Sequence, residues 1–347
     1  MTTTLTNRRL ARRQLGMTLI EIMIAVGISA ILLTGLLQVL ISSKQSYRVT
    51  EASARLQENG RFAVGFLAED VRMAGYTGCY SGAPTNIESI LNTPNNFNWN
   101  FNNNLEGNEA MGGGAWSPAL DASLAGQVTD GTDVIVMRGL ADDGISLVDP
   151  YSDSGQVFVD PAVNNVNVGD ILMVTDCSQA SMFQVTNEQL AGGKLNIVHS
   201  NGGGPPGNTG PLLGKDYGAD AQLARFVTNV YFIGTGASGE PALFRQTLGT
   251  AGAMVAQELV EGVENMQILY GEDTDADDIA NRYVTADNVA DMTKVASVRI
   301  SLLLRTDDAI ASAAQTYAYD GANVTAGDLR IRRVFTTTVK LRNRGKI

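Results

Sequence analysis

The sequence has a single histidine, His199, and two cysteines, Cys79 and Cys177. A Ser-His-Asp or Cys-His arrangement would have to use His199. That residue closes an apolar run just ahead of Ser200-Asn201-Gly202, so it reads as the end of a strand. A structural zinc site takes four nitrogen or sulfur ligands, which one histidine and two distant cysteines do not supply. Basic residues are also scarce, 25 against 36 acidic ones. That balance argues against direct nucleic-acid binding, which depends on Lys and Arg neutralising phosphate. No set of titratable groups stands out as a catalytic centre, and the chain reads as a non-enzyme. Gly234-Thr235-Gly236-Ala237-Ser238-Gly239 formally matches the dinucleotide-binding glycine pattern, with Glu258 downstream. Glu240-Pro241 follows it directly and no βαβ unit surrounds it, so a hairpin turn explains the glycines.

Charge is nearly missing from one stretch. Between Met17 and Ile41 the only charged side chain is Glu21, and the next is Lys44. As a helix these 25 residues would reach roughly 37 Å, enough for a hydrocarbon core of about 30 Å. Four arginines precede it: Arg8, Arg9, Arg12 and Arg13. They should keep that end cytoplasmic, with the remainder exported. A secretory signal peptide has a shorter apolar region followed by its cleavage site. Here the plausible cut lies before the run, at Gly16. A membrane carboxylate costs about 2.5–3.5 kcal/mol on insertion scales and usually has a partner. A cut after Gly16 would free the Met17 amine, and the amine of a neighbouring subunit could meet Glu21. The other reading is an interfacial glutamate that snorkels to the membrane edge.

The run Gly16-Met17-Thr18-Leu19-Ile20-Glu21, with its basic leader and long apolar helix, resembles the N-terminus of type IV pilins and pseudopilins. The resemblance implies cleavage after Gly16 by a prepilin peptidase, N-methylation of Met17, and a Glu21 contact that sets subunit register. Met17 departs from the commoner Phe. Leu56-Gln57-Glu58-Asn59-Gly60-Arg61-Phe62-Ala63, Asp70-Val71-Arg72-Met73-Ala74-Gly75-Tyr76 and Gly78-Cys79 narrow the resemblance to the PilW family of minor pilins. Gly169-Asp170 and Asp176-Cys177 extend it. The similarity covers residues 8–80 and recurs at 169–186, 258–275 and 294–342.

The expected fold is α+β: a type IV pilin fold with a long N-terminal helix packed on an antiparallel β-sheet, with large loop insertions. The expected divisions are a leader (1–16), a membrane or filament-core half of the helix (17–41), an amphipathic half (42–75) and a globular β domain (76–347). The leader holds four of the basic side chains, so the mature chain would carry 21 against 36 acidic ones, a net −15. Val49, Ala52, Leu56, Ala63, Leu67, Val71 and Ala74 form one apolar stripe, with Glu51, Arg55, Glu58, Arg61, Glu69 and Arg72 off it. Gly60 and Gly65 each weaken that helix by about 1 kcal/mol relative to Ala, and a bend is expected near Asn59-Gly60. Residues 81–126 read as a long loop or mobile insertion. Ten asparagines fall between Asn86 and Asn108, interleaved with Phe97, Trp99 and Phe101. A solvated spacer is the favoured reading, ahead of a display loop.

Short β-branched runs predict strands at 133–138, 156–160, 170–175, 182–186, 194–199 and 226–233. Alternation places Ala296, Val298, Ile300, Leu302 and Leu304 on one face of a strand, opposite Ser297, Arg299, Ser301 and Arg305. It likewise places Leu329, Ile331, Phe335, Val339 and Leu341 opposite Arg330, Arg332, Lys340 and Arg342. Val255 to Met266 fits a short helix or a strand pair. In an exported domain Cys79 and Cys177 read as a disulfide closing a long loop, worth about 4–5 kcal/mol in the chain-entropy model. Two buried thiols are the other reading. Asp273, Asp275 and Asp277 are spaced like the first three ligands of a calcium loop. Asp278 stands where such loops place glycine, and Val284 where they place glutamate. A solvated acidic turn is the alternative, and no other cofactor is expected.

The resemblance implies a minor pilin that primes assembly of a type IV pilus and joins it at the tip, supporting twitching motility, adhesion or DNA uptake. The implied partners are other minor pilins, the major pilin, an adhesin-like tip protein, prepilin peptidase and the inner-membrane assembly platform. The chain would first be a single-pass inner-membrane protein with a periplasmic domain, then part of the pilus at the cell surface. Two rivals are a type II secretion pseudopilin of the J kind and a membrane-anchored periplasmic enzyme.

Overall fold

A computed structural model of the protein describes residues 16–141, 144–151, 154–162 and 165–343. The leader arginines lie outside these. The chain forms two compact units, Met1–Glu51 and Ala52–Ile347. One helix, Leu19–Met73, contributes to both and runs unbroken through Asn59 and Gly60. In the first unit it is apolar and unburied: Leu19, Ile31 and Leu32 are 78%, 75% and 68% exposed. Among the described residues it alone is long and apolar enough to cross a membrane. It serves as a single membrane anchor.

In the second unit the same helix turns amphipathic. Leu56, Gly60, Ala63, Leu67, Ala68 and Val71 are buried, following the i, i+3, i+4 spacing of a helix with one covered face. They pack with Ile135, Met137 and Tyr231 from one sheet and with Ile268, Ile300 and Leu302 from another. Each fully buried aliphatic side chain contributes about 1.5–3 kcal/mol. Gly60 is needed for this fit: a Cβ there would stand 2.4 Å from the Phe335 ring.

The larger sheet is mixed. Its central strand, Gln222–Thr235, pairs antiparallel with Ile171–Thr175, Val134–Leu140 and Pro241–Leu248. Glu88–Ser89 runs parallel to Ala180–Gln184 at one edge. A four-stranded sheet orders Arg282–Val284, Val263–Glu272, Val295–Ala309 and Arg330–Lys340, each pair antiparallel. Smaller elements are a three-stranded sheet (Gln156–Val159, Asn187–Ala191, Lys194–Val198) and the hairpin Thr316–Tyr319 with Ala322–Thr325.

All six predicted short strands are present, with ends shifted by up to four residues. Val255 to Met266 resolves into two strands, Met254–Glu261 and Val263–Glu272, divided by Gly262 at φ 82°. In Val295–Ala309 the apolar face is buried as expected; opposite it Arg299, Ser301 and Arg305 are half-buried, but Ser297 is buried, its hydroxyl hydrogen-bonded with that of Tyr283 at 2.9 Å. The last strand departs from its pattern at Arg332, which is buried although it lies on the polar face. Ion pairs to Glu264 (2.7 Å) and Asp328 (2.6 Å) explain it. A buried charge persists where it is paired and hydrogen-bonded.

The expectation for residues 81–126 is corrected. This stretch forms the strands Glu88–Ser89, Leu105–Gly112 and Ala115–Ser117 and enters the core. Trp99 and Phe101 are 5% and 4% exposed, and Phe101 meets Phe226 edge-on with ring centroids 5.8 Å apart. Arg138, 1% exposed, organises the segment from the neighbouring strand. It donates to the Phe97 carbonyl from Nε (3.1 Å) and Nη2 (2.6 Å), donates to the Asn103 carbonyl, and pairs with Glu106 at 3.2 Å. The Trp99 indole donates to Thr93 O (2.6 Å), and the Asn98 amide donates to Gly252 O (3.1 Å). The asparagines signal a chain that satisfies its own polar groups internally.

Candidate functional site

The helix begins at Leu19, which makes Thr18 its N-cap and Glu21 its third residue. Glu21 Oε2 accepts from the Thr18 N–H and from Thr18 Oγ1, each at 2.9 Å, and the Glu21 N–H donates to Thr18 Oγ1 at 3.4 Å. This reciprocal capping box meets two of the amide donors that a helix start leaves open. The carboxylate in the apolar stretch therefore has partners within its own chain. Gly16 and Met17 are exposed beside it, Met17 at 71%. A cut after Gly16 would leave the capping amide intact, because the new amine would sit on Met17. The Thr-x-x-Glu spacing that signals such a cap was present in the sequence, beside the more conspicuous membrane charge.

The helix leaves through Gly75 (φ 75°), whose N–H donates to Arg138 O at 2.8 Å. Leu140 N–H then donates to Tyr76 O at 2.9 Å, so the exit pairs with the strand Val134–Leu140. Cys79 follows and is disulfide-bonded to Cys177, with Cα atoms 4.7 Å apart. Cys177 sits in the left-handed region, φ 69°, in the turn between Ile171–Thr175 and Ala180–Gln184. Asp176 organises that turn, accepting from Ser178 N (3.1 Å), Ser178 Oγ (2.8 Å) and Gln179 N (3.0 Å) and pairing with Lys215. Burial opposes its ionisation, but these donors prevail and hold its carboxyl at about 2.

One polar joint lies under the outer half of the helix. Asp70 Oδ2 accepts from Tyr231 Oη (2.6 Å) and Asn229 Nδ2 (2.9 Å), with Arg245 at 3.9 Å. Burial raises the Asp70 pKa against these partners. Sequence reading placed Asp70 among matching residues only. Its partners lie about 160 residues downstream, and no local signal points to them.

The oxygens of Asp273, Asp275 and Asp277 lie within 4.8 Å of one another and could hold a metal ion. Carboxylate oxygens suit a hard cation such as calcium. Asp273 is already engaged: Oδ1 accepts the N–H groups of Asp275 (3.2 Å), Ala276 (2.7 Å) and Asp277 (3.3 Å), and Oδ2 accepts that of Asp278 (2.8 Å). Partial burial works against ionisation, but the amides win and lower its pKa. Ala276 and Asp278 adopt φ 62° and 64°, the left-handed geometry usually given to glycine. Val284 lies in the strand Arg282–Val284, opposite Tyr270, and offers no ligand.

His199 is fully buried against Phe183, with ring centroids 4.6 Å apart. Neither ring nitrogen has a hydrogen-bond partner of normal geometry. Desolvation pushes its pKa down to about 4, so it is neutral near pH 7. The Gly234–Gly239 stretch is the turn joining Gln222–Thr235 to Pro241–Leu248, closed by Gly236 N–H to Glu240 O at 2.8 Å.

An unburied apolar helix capped by its own threonine and glutamate, behind a glycine, defines a class. Residues 11–37 match the prokaryotic N-terminal methylation motif, so the chain is prepilin-like. Residues 230–343 match the type IV pilus-assembly protein W family, PilW. The chain is thus similar to PilW-family type IV pilus proteins over its C-terminal strands, and to proteins with the N-terminal methylation motif over residues 11–37. The PilW match takes in Tyr231, the aspartate turn and the Arg332 ion pairs. No curated protein and no solved structure matches the chain.

Proposed function

We propose that the chain is a minor pilin that primes assembly of a type IV pilus and is incorporated near its tip. The carrying observation is the capped, unburied apolar helix that starts three residues after Gly16, at Leu19, together with the PilW match. Prepilin peptidase would cut after Gly16, and Met17 would be methylated. The leader arginines would hold the N-terminus in the cytoplasm, placing the β domain in the periplasm. The apolar half of the helix would then move from lipid into the filament core among other pilins. Glu21 would serve twice, capping its own helix through Oε2 and meeting the Met17 amine of a neighbouring subunit. Its role is assembly, without turnover.

Mass spectrometry of the mature N-terminus tests the class: a methylated Met17 is expected, and an uncut Met1 overturns it. Glu21→Gln separates the two roles of the carboxylate, because glutamine also completes a capping box. Glu21→Gln and Glu21→Ala are both expected to reach the membrane and fail to enter filaments. Normal incorporation of Glu21→Gln would show that the cap suffices and sink the intersubunit pairing. Gene deletion should abolish twitching and spare protein secretion; the reverse outcome would indicate a type II secretion pseudopilin.

A further inference from the structure

An open cavity of about 520 Å³ lies against the organised Asn-rich segment. Its size falls in the range of small-ligand sites. Phe97, Leu105, Leu120 and Met292 give it apolar walls, and Glu106 and Asp121 line the same space. The turn carrying Asp121 is fixed from the neighbouring strand, because buried Asn108 donates from Nδ2 to Pro118 O (3.0 Å) and Ala119 O (3.3 Å). The two acids differ in their charge balance. Glu106 is matched by Arg138 at 3.2 Å, whose other donors are held by main-chain carbonyls. Asp121 uses one oxygen to accept the Ser123 N–H at 2.9 Å, capping the helical turn Ala122–Leu124. Among the described residues no cation stands within ion-pair distance of Asp121, and Arg138, already paired with Glu106, reaches it only at longer range. The cavity therefore combines apolar walls with one net negative charge, which complements a cation on a short carbon chain.

We propose that this cavity binds an aliphatic ammonium group, carried by a small free amine or by a lysine side chain, with Asp121 as its counter-ion. The carbon chain lies between Phe97, Leu120 and Met292. This assignment is independent of the assembly role.

The test titrates the full-length protein in detergent micelles with pentylammonium chloride, with pentan-1-ol as its uncharged twin, and with Nα-acetyl-lysine methylamide. Binding is read by calorimetry. Saturable binding of at least one of the two ammonium compounds is expected, with pentan-1-ol weaker by roughly ten-fold or more. The tighter of the two ammonium compounds identifies the source, free amine or lysyl side chain. Asp121→Asn should weaken the ammonium compounds by a similar factor. Its unfolding temperature should hold, because asparagine can still accept the Ser123 N–H. Equal binding of pentan-1-ol, or no saturable binding up to roughly ten millimolar, overturns the proposal. So does undiminished binding by a folded Asp121→Asn. If that variant does not fold, the wild-type comparison of pentylammonium with pentan-1-ol decides alone.

Discussion

The two halves of the long helix share an apolar helical pattern and meet different surroundings. Gly27 and Gly35, in the apolar half, have nothing within 4 Å of where a side chain would begin. Gly60, in the outer half, has the Phe335 ring at 2.4 Å. Leu32 is 68% exposed and Leu67 fully buried. The outer half is stabilised by its own domain. The inner half has the composition of a core and is unburied among the described residues. A uniform helical pattern does not separate these cases; the charges flanking the stripe do.

Breaking the outer half should have the largest effect. Leu67→Ala is expected to cost about 2–5 kcal/mol in unfolding experiments, whereas Leu32→Ala should leave the unfolding of the β domain unchanged.

The pH dependence follows next. His199, held at about 4 against an unfolded value near 6.5, takes up its proton more readily when unfolded. Stability from this residue is therefore complete above about pH 6.5 and is lost as the pH falls toward 4, by about 3 kcal/mol at most. Glu109 and Asp133 act in the opposite sense. Burial raises them to about 7 and about 6, so their contribution is present at low pH and is lost as the pH rises through those values. His199 offsets only part of the effect of the two carboxyls, so the wild-type stability should rise modestly as the pH falls from 7 toward 4. His199→Phe should steepen that rise, and Glu109→Gln should flatten it. Urea denaturation across that range checks both.

Asp70→Ala is expected to destabilise by about 1–3 kcal/mol, since it leaves the Tyr231 hydroxyl and the Asn229 amide without their acceptor. Gly65→Ala, where no atom lies within 4 Å, should stabilise by up to about 1 kcal/mol. Gly60→Ala should lose that gain to overlap with Phe335. The smallest effect should come from Asp273→Ala, which removes the acceptor for four turn amides. It should lower the unfolding temperature equally with and without a chelator. A loss that vanishes on chelation would identify a metal as the turn's organiser.

Much of the architecture was legible in the sequence because it rests on local periodicity. The helix stripe from Leu56 to Val71 and the alternation from Ala296 to Leu304 each carry their own register. What escaped depends on distant partners. Nothing near Arg138 announces that its guanidinium will collect carbonyls from residues 97 and 103. Nothing near Asn98 points to Gly252. Arg332 obeys the alternation and is still buried, because Glu264 and Asp328 arrive from other parts of the chain. Of the site, Gly16, Met17 and Glu21 could be picked out from spacing and charge. The capping role of Glu21 was equally visible, but it competed with a more conspicuous membrane signal.

The Arg138 clamp grips the main chain, and every residue has a carbonyl. Asn103 could be exchanged for most other residues without releasing the hold. The path of the Asn-rich segment over the domain is thus anchored through its backbone at residues 97 and 103, whatever side chains those positions carry.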